Sequence, residues 1–354
     1  MTHPIRTLVV GLGHMGLSHA LAYHANPGFE IVGLANRSKP TLPPELSGPP
    51  LFDSFEAGLE ATKPDLVSVN TFSDSHADYA VKAMEAGAHV FVEKPLATTV
   101  EDARRVVETA RRTGRKLVVG YILRHHPSWI RFVELARELG SPHVMRLNLN
   151  QQSSGPDWVW HKNLMQSLSP IVDCGVHYVD IMCQICGSRP VRVHGMGARL
   201  TDEVAPEMYN YGHFQVLFED GSLGWYEAAW GPMISETAFF VKDVMGPNGS
   251  VSIVMDEGAR SADMETHTKT ARIRVHSGAL DPSGGLANPD KLLDMADEPG
   301  HQDLCDREQA YMLRAITEDL DLTDHMQDAV SSLEVVLAAD QSIRERRPVD
   351  LGAG

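Results

Sequence analysis

Residues 7–10 form a short apolar run that stops at Gly11, and apolar positions at helical spacing set in from about Met15. The same alternation recurs. Residues 30–34, 65–69, 90–92 and 116–120 read as strands. Residues 75–86 carry a helical pattern closed by Gly87, and Thr98-x-x-Glu101 has the form of a capping box opening a helix that Gly114 ends. Apolar strands alternating with helices predict a parallel sheet with helices on both faces.

The rhythm changes after about Ile122. Residues 144–150, 191–199, 209–218 and 222–230 read as strands without the earlier strand–helix alternation, and Glu219-Asp220-Gly221 is a turn signal that predicts an antiparallel hairpin. Residues 238–244 and 251–255 continue the strand pattern, 304–317 and 329–346 read as helices, and 279–300, rich in Gly, Pro and Asp, reads as a long loop. There is no internal repeat and no low-complexity tail. The expectation is an α/β domain over residues 1–122 and an α+β domain over 123–354 with a large, mostly antiparallel open sheet. A C-terminal helix is free to pack back on the first domain.

Composition narrows the class. A chain of 354 residues exceeds one typical core and suits two domains. Hydrophobic residues at 43% and charged residues at 22% are ordinary for a globular protein. No apolar run is long enough to span a bilayer, and the first six residues lack a signal-peptide pattern, so a cytoplasmic location is expected. A net charge of −16 argues against nucleic acid and anionic membranes as partners. Four cysteines are no disulfide framework; Cys183 and Cys186, in an apolar helical stretch, are expected to be reduced core thiols, and no metal site is expected.

Gly11-Leu12-Gly13-His14-Met15-Gly16 is a GxGxxG between the first strand and its helix. Its glycines allow a tight turn, close approach of backbone to a pyrophosphate, and close helix–strand packing. The helix N-terminus offers N–H groups and a positive dipole end to the phosphates. The first domain is therefore expected to be a dinucleotide-binding Rossmann domain. At the end of the second strand an acidic residue would favour NAD, but this chain has Asn36, followed by Arg37, Ser38 and Lys39. No carboxylate excludes a 2′-phosphate there, so the cofactor is NAD or NADP.

Two further segments carry chemistry. Glu93-Lys94-Pro95 follows a strand at its carboxyl end, where ligands bind in open parallel sheets. A lysine beside a cationic ring and partly buried is able to hold or relay a proton near neutrality. In Pro170-Ile171-Val172-Asp173-Cys174-Gly175-Val176-His177, Ser169 and Pro170 suit a helix start, and Asp173 and His177 then stand at i and i+4 on one face. A carboxylate beside an imidazole raises its basicity and orients it, as a general base requires.

With these motifs in order, the chain resembles the Gfo/Idh/MocA oxidoreductases, the family of glucose–fructose oxidoreductase and inositol dehydrogenase. The resemblance spans nearly the whole length and rests on residues 11–16, Asn70-Thr71 with His76, residues 93–95, and residues 173–177. It implies that Lys94 contacts the reacting hydroxyl, that His177 is the general acid/base, and that Asp173 positions substrate and His177. It also implies that Asn70, His76 and Glu93 line the cofactor site and that the second sheet builds a subunit interface. Asn36 departs from the acidic residue of many members.

The reaction expected is hydride transfer between a ring hydroxyl or ketone of a sugar, inositol or sugar derivative and the nicotinamide. Arg124, Trp158, His161 and Lys162 are the candidate substrate residues; Trp158 and Trp160 are also candidates to stack on a sugar face. Arg124, His161 and Lys162 together would make a basic pocket fit for an anionic sugar. A glycosidase that oxidises its sugar transiently with a retained cofactor would use the same residues; a nicotinamide-sensing protein without turnover is a second alternative, against which the intact Lys94, Asp173 and His177 argue. A second domain with many strands and few helices to cover them predicts a homodimer or homotetramer.

Overall fold

The computed structural model describes residues 3–235, 241–255, 270–295 and 298–352. The chain divides into two compact units, Met1–His125 with Pro299–Val330, and His126–Glu298 with Ser331–Gly354. In chain order the elements begin with β1 (Ile5–Val10), α1 (His14–Ala25), β2 (Phe29–Ala35), β3 (Leu51–Phe52), α2 (Phe55–Thr62), β4 (Leu66–Val69), α3 (His76–Glu85), β5 (His89–Val92), α4 (Val100–Thr113) and β6 (Leu117–Val119). They continue with α5 (Pro127–Arg137), β7 (Val144–Gln152), α6 (Gly155–Leu164), α7 (Pro170–Cys186), β8 (Pro190–Ala198), β9 (Tyr211–Phe218) and β10 (Leu223–Gly231). The last are β11 (Lys242–Gly246), β12 (Gly249–Val254), β13 (Arg272–Ser277), β14 (Lys291–Asp294), α8 (His301–Thr317), α9 (Thr323–Glu345) and β15 (Val349–Asp350).

The first unit holds a parallel sheet in the order β3-β2-β1-β4-β5-β6. The order reverses direction between β1 and β4, which makes the crevice at their carboxyl ends the place where such sheets bind ligands. β4 and the last four residues of β1 are wholly buried, as strands covered on both faces must be. Helix α4 starts one residue later than the Thr98–Glu101 pattern predicts. Thr99 is its N-cap: the hydroxyl accepts from Asp102 N–H at 3.1 Å and donates to Asp102 Oδ2 at 3.0 Å. The register adopted puts Ala103, Val106, Val107 and Ala110 on one buried face. Gly114 ends the helix at φ 65°, as expected.

The first unit takes in residues 299–330 besides its N-terminal segment. The cause is packing: Met312, Ala315 and Leu322 join Ala20, Tyr23, Phe29 and Phe91 in one buried apolar cluster. α9 begins at Thr323 rather than 329, and its first turns lie in the first unit.

The second unit carries a nine-stranded sheet in the order β14-β13-β12-β11-β7-β10-β9-β8-β15. Its pairs are antiparallel except β7 with β10. The turn at 219–221 closes the β9–β10 hairpin with Gly221 at φ 84°. The expected loop over 279–300 holds β14, which pairs with β13. Of the strand expected over 238–244, residues 238–240 lie outside the described residues, and β11 covers the rest.

α7 lies along one face of this sheet, and glycines in the strands let it come close. A Cβ on Gly224 would stand 2.5 Å from Met182 Sδ, and one on Gly212 2.9 Å from Ile171 Cγ1. On the opposite face the register aligns Leu217, Leu223, Val144 and Met245 on four neighbouring strands. These four side chains are 37–46% exposed and form an apolar row across the sheet.

Candidate active site

The glycine loop is built by contact, residue by residue. Gly11 has φ +84°, and a Cβ there would meet Asn70 O at 2.5 Å. A Cβ on Gly16 would stand 1.8 Å from Gly11 O, so α1 packs against its own loop only with glycine at that position. Gly13 differs. It is exposed, it is the N-cap of α1 at φ −74°, and a Cβ there would meet nothing within 4 Å. Nothing among the described residues demands glycine at 13, whereas close approach of a pyrophosphate to the backbone does. The first turn of α1 carries no acidic residue and no side-chain cap, so its N–H groups remain available to an anion, with exposed His14 and half-buried Met15 beside them. The residues present fit a dinucleotide.

Asn36 closes this loop from β2. Its Oδ1 accepts from Leu12 N–H at 2.9 Å, and its amide donates to Ser38 O at 2.7 Å. Arg37, Ser38 and Lys39 are exposed next to it.

At the ends of β4 and β5 the polar side chains are engaged within the unit. Asn70 is buried and its amide donates to Ser68 O at 3.2 Å. Thr71 Oγ1 lies 2.7 Å from Ser75 Oγ. His76, buried, has Nδ1 2.7 Å from Pro95 O and Nε2 2.9 Å from Thr71 O; burial lowers its pKa, and the two carbonyls oppose that shift. Glu93 is buried, with Oε1 2.7 Å from His19 Nε2, and Oε2 accepting from Lys94 N–H at 3.1 Å. Burial raises the Glu93 carboxyl, but the bond and charge of His19, with Lys94 and His76, bring it below the ordinary value. Lys94 itself is half-buried, directly after β5. Asn70 is thus tied to Ser68 of its own strand, and His76 and Glu93 to neighbouring segments of the unit.

Sequence reasoning missed His19 and Gln309. Gln309 Nε2 lies 3.0 Å from His19 Nδ1. The signal for His19 was a polar residue on the buried face of the helix after a glycine loop; nothing local marks Gln309, which arrives on α8. His19, Cys305 and Glu308 offer potential metal-ligand atoms within 4.8 Å of one another. Both nitrogens of His19 are already engaged, and burial raises the Cys305 thiol and the Glu308 carboxyl, which disfavours the anionic forms a metal would need.

In the second unit, Ser169 caps α7 by accepting from Val172 N–H at 3.3 Å, and Tyr209 donates to the same hydroxyl at 2.8 Å. Asp173, half-buried, then falls in the first turn, where the helix dipole favours a carboxylate, and buried His177 follows one turn later. His161 on α6 lies against the same chemistry. Burial pushes its pKa down to about 4, with Asp173 and Asp157 acting in the opposite sense. Its ring stacks on Trp230 at 4.5 Å and 7°, and Trp160 tilts against it at 5.2 Å. Neither ring nitrogen of His161 has a hydrogen-bond partner among the described residues.

The other substrate candidates are mostly engaged. Trp158 is buried and donates to Glu203 at 3.2 Å, whereas Trp160 is 46% exposed. Lys162 pairs with Glu203 at 2.5 Å, and Arg124, in the first unit, pairs with Asp328 at 2.6 Å. Arg124 and Lys162 are thus each paired with a carboxylate, and burial favours the neutral form of His161.

Comparison with known proteins places this arrangement. Residues 5–121 match the model of the oxidoreductase family with an NAD-binding Rossmann fold, and residues 134–252 match the GFO/IDH/MocA C-terminal domain. The chain belongs to the Gfo/Idh/MocA oxidoreductase family, and its first domain is an NAD(P)-binding Rossmann fold. It is 28% identical over 270 residues to a scyllo-inositol 2-dehydrogenase (NAD(+)) of Bacillus subtilis, covering 72% of this chain and 75% of that protein. It is 29% identical over 199 residues to a D-glucoside 3-dehydrogenase of Escherichia coli; that match spans 53% of this chain and only 56% of the relative's length. The fold is also that of the UDP-N-acetylglucosamine 3-dehydrogenase GnnA from Acidithiobacillus ferrooxidans, with TM-score 0.76, 21% identity, and coverage of 98% of this chain and 99% of that one. No helix among the described residues is long and apolar enough to cross a membrane.

Proposed function

We propose that this protein is an NAD(P)-dependent dehydrogenase that interconverts a ring hydroxyl and a ketone on a neutral sugar, inositol or sugar derivative. The observation that carries the reading is Lys94 at the carboxyl end of β5, in the same unit as a glycine loop whose Gly13 is required by nothing among the described residues. The relatives named for scyllo-inositol and D-glucosides support the substrate class. When bound, the nicotinamide supplies or takes the hydride.

The chain's own part is binding and proton handling. The α1 N-terminus and Gly11–Gly16 hold the pyrophosphate, and Asn36 to Lys39 meet the adenosine ribose. In this reading Lys94 bonds the reacting oxygen and His177 takes the hydroxyl proton, or returns it in reduction. Asp173 orients His177 and bonds a neighbouring hydroxyl. His161, neutral and with both nitrogens available among the described residues, bonds another hydroxyl, and Trp160 offers its exposed ring to an apolar sugar face.

The test is a panel of inositols, aldoses and aryl glycosides with NAD and with NADP, following nicotinamide absorbance and aglycone release. Reduced nicotinamide that accumulates with a ring polyol is the expected result. Aglycone release without accumulation would replace this reading with that of a glycosidase, and no change with any compound would remove both.

A further inference from the structure

Lys94 sits between two residues that are each held by a buried imidazole. On one side, Glu93 Oε1 takes a bond from His19 Nε2 at 2.7 Å, while Oε2 accepts from the Lys94 backbone N–H at 3.1 Å. On the other side, the Pro95 carbonyl lies 2.7 Å from His76 Nδ1. His19 and His76 are 0% and 1% exposed, and neither faces solvent. They come from different elements, α1 directly behind the glycine loop and α3 behind β4.

We propose that His19 and His76 are the positioning residues of Lys94: two buried imidazoles that fix residues 93 and 95 and thereby aim the lysine between them. The inference rests on the reading of Lys94 as the residue that meets the reacting oxygen. The two imidazoles act through Lys94's flanks.

The chemistry of the clamp is specific. Gln309 donates its amide N–H to His19 Nδ1 at 3.0 Å, which leaves the proton of the ring on Nε2, facing the carboxylate. Glu93 is therefore held by a charge-assisted bond on one oxygen and ties down the lysine backbone with the other. An apolar residue at 19 would fill the same space and hold neither. His76 Nε2 also lies 2.9 Å from Thr71 O in the loop after β4, but a neutral ring has one N–H to donate, and the nearer carbonyl is that of Pro95 at 2.7 Å. Helix α1, through His19, and residues 93–95 around Lys94 thus share one hydrogen-bonded frame. The helix behind the glycine loop and the lysine are held in register by it, which matters because a displacement of about 1 Å can lower a rate about 10²-fold.

The test compares His19→Phe, which removes the donor and keeps the volume, with His19→Gln, which keeps an N–H near the Nε2 position. Glu93→Gln serves as a second variant should the phenylalanine protein fail to fold. The first readout needs no substrate: amide hydrogen exchange of Lys94 N–H in the full chain. Faster exchange confined to the residues around Lys94 in His19→Phe and Glu93→Gln, recovering in His19→Gln, is expected. The second readout uses the best compound of the sugar panel. There His19→Phe should lose roughly 10²-fold in kcat while cofactor affinity holds, and His19→Gln should regain part of it. Unchanged Lys94 exchange in both His19→Phe and Glu93→Gln would overturn the clamp, as would a uniform rise in exchange across the whole first unit. If Lys94→Ala keeps full turnover, the role of Lys94 fails instead, and the exchange result still decides the clamp.

Discussion

Gly13→Ala separates cofactor recognition from folding. A Cβ at position 13 meets no protein atom within 4 Å, and φ −74°, ψ −168° is open to alanine. Losing the N-cap glycine costs a few tenths of a kcal/mol to about 1, and the stiffer unfolded chain returns about 0.4–1 kcal/mol, so stability without ligand should barely move. Bound pyrophosphate is another matter. A methyl group that keeps one backbone N–H from a phosphate oxygen removes a hydrogen bond to a charged group, about 1.5–3 kcal/mol. That is roughly 10- to 150-fold in Kd for both NAD and NADP. The assay is calorimetric titration beside a thermal scan. Gly16→Ala is the control: its Cβ would stand 1.8 Å from a backbone oxygen, so it should lower Tm before any ligand is added. Unchanged affinity in a Gly13→Ala protein of unchanged Tm would refute the reasoning.

Asn36→Asp keeps an acceptor for Leu12 N–H but brings a charge to the ribose end; the ratio of NADP to NAD specificity constants should fall tenfold or more, like-charge juxtaposition costing on the order of a few kcal/mol. His161 is held neutral, with its pKa down from 6.5 to about 4, so its contribution to stability is complete above pH 6.5 and is lost as pH falls toward 4. Denaturant melts should show about 2 kcal/mol less stability at pH 5 than at pH 7 from this residue, a difference absent in His161→Asn. The apolar row Leu217–Leu223–Val144–Met245 should bury itself in a symmetric oligomer, and sedimentation should find a dimer or tetramer that Leu223→Lys dissociates.

The strand–helix alternation of the first unit was readable because its elements carry local signatures, Gly11 and Gly16 at a strand end and Gly114 after an amphipathic helix; in the second unit α7 was readable in the same way, with Asp173 and His177 one turn apart behind Ser169 and Pro170. What was not readable depends on distant partners. Residues 299–330 belong to the first unit because Met312, Ala315 and Leu322 join the buried cluster of Tyr23 and Phe29, and local pattern left a C-terminal helix free to pack there without naming these partners. β14 is short and mostly exposed, and only pairing with β13 makes it a strand. Residue types singled out Lys94, Asp173 and His177 as candidates, but Trp158 and Trp160 look alike in sequence. Burial and the bond to Glu203 distinguish them, leaving Trp160 as the exposed ring. Arg124 and Lys162 looked like a basic pocket until Asp328 and Glu203 appeared against them.

The most direct test of the account is turnover of the Lys94→Ala and His177→Ala proteins, set against their affinity for the cofactor. With any ring polyol that the wild-type protein oxidises, both variants should lose roughly 10²–10⁴-fold in kcat, while calorimetry finds NAD or NADP bound as before. Turnover within the wild-type range in either variant would contradict the assignment of that residue, and in both it would remove the proposed chemistry from this site.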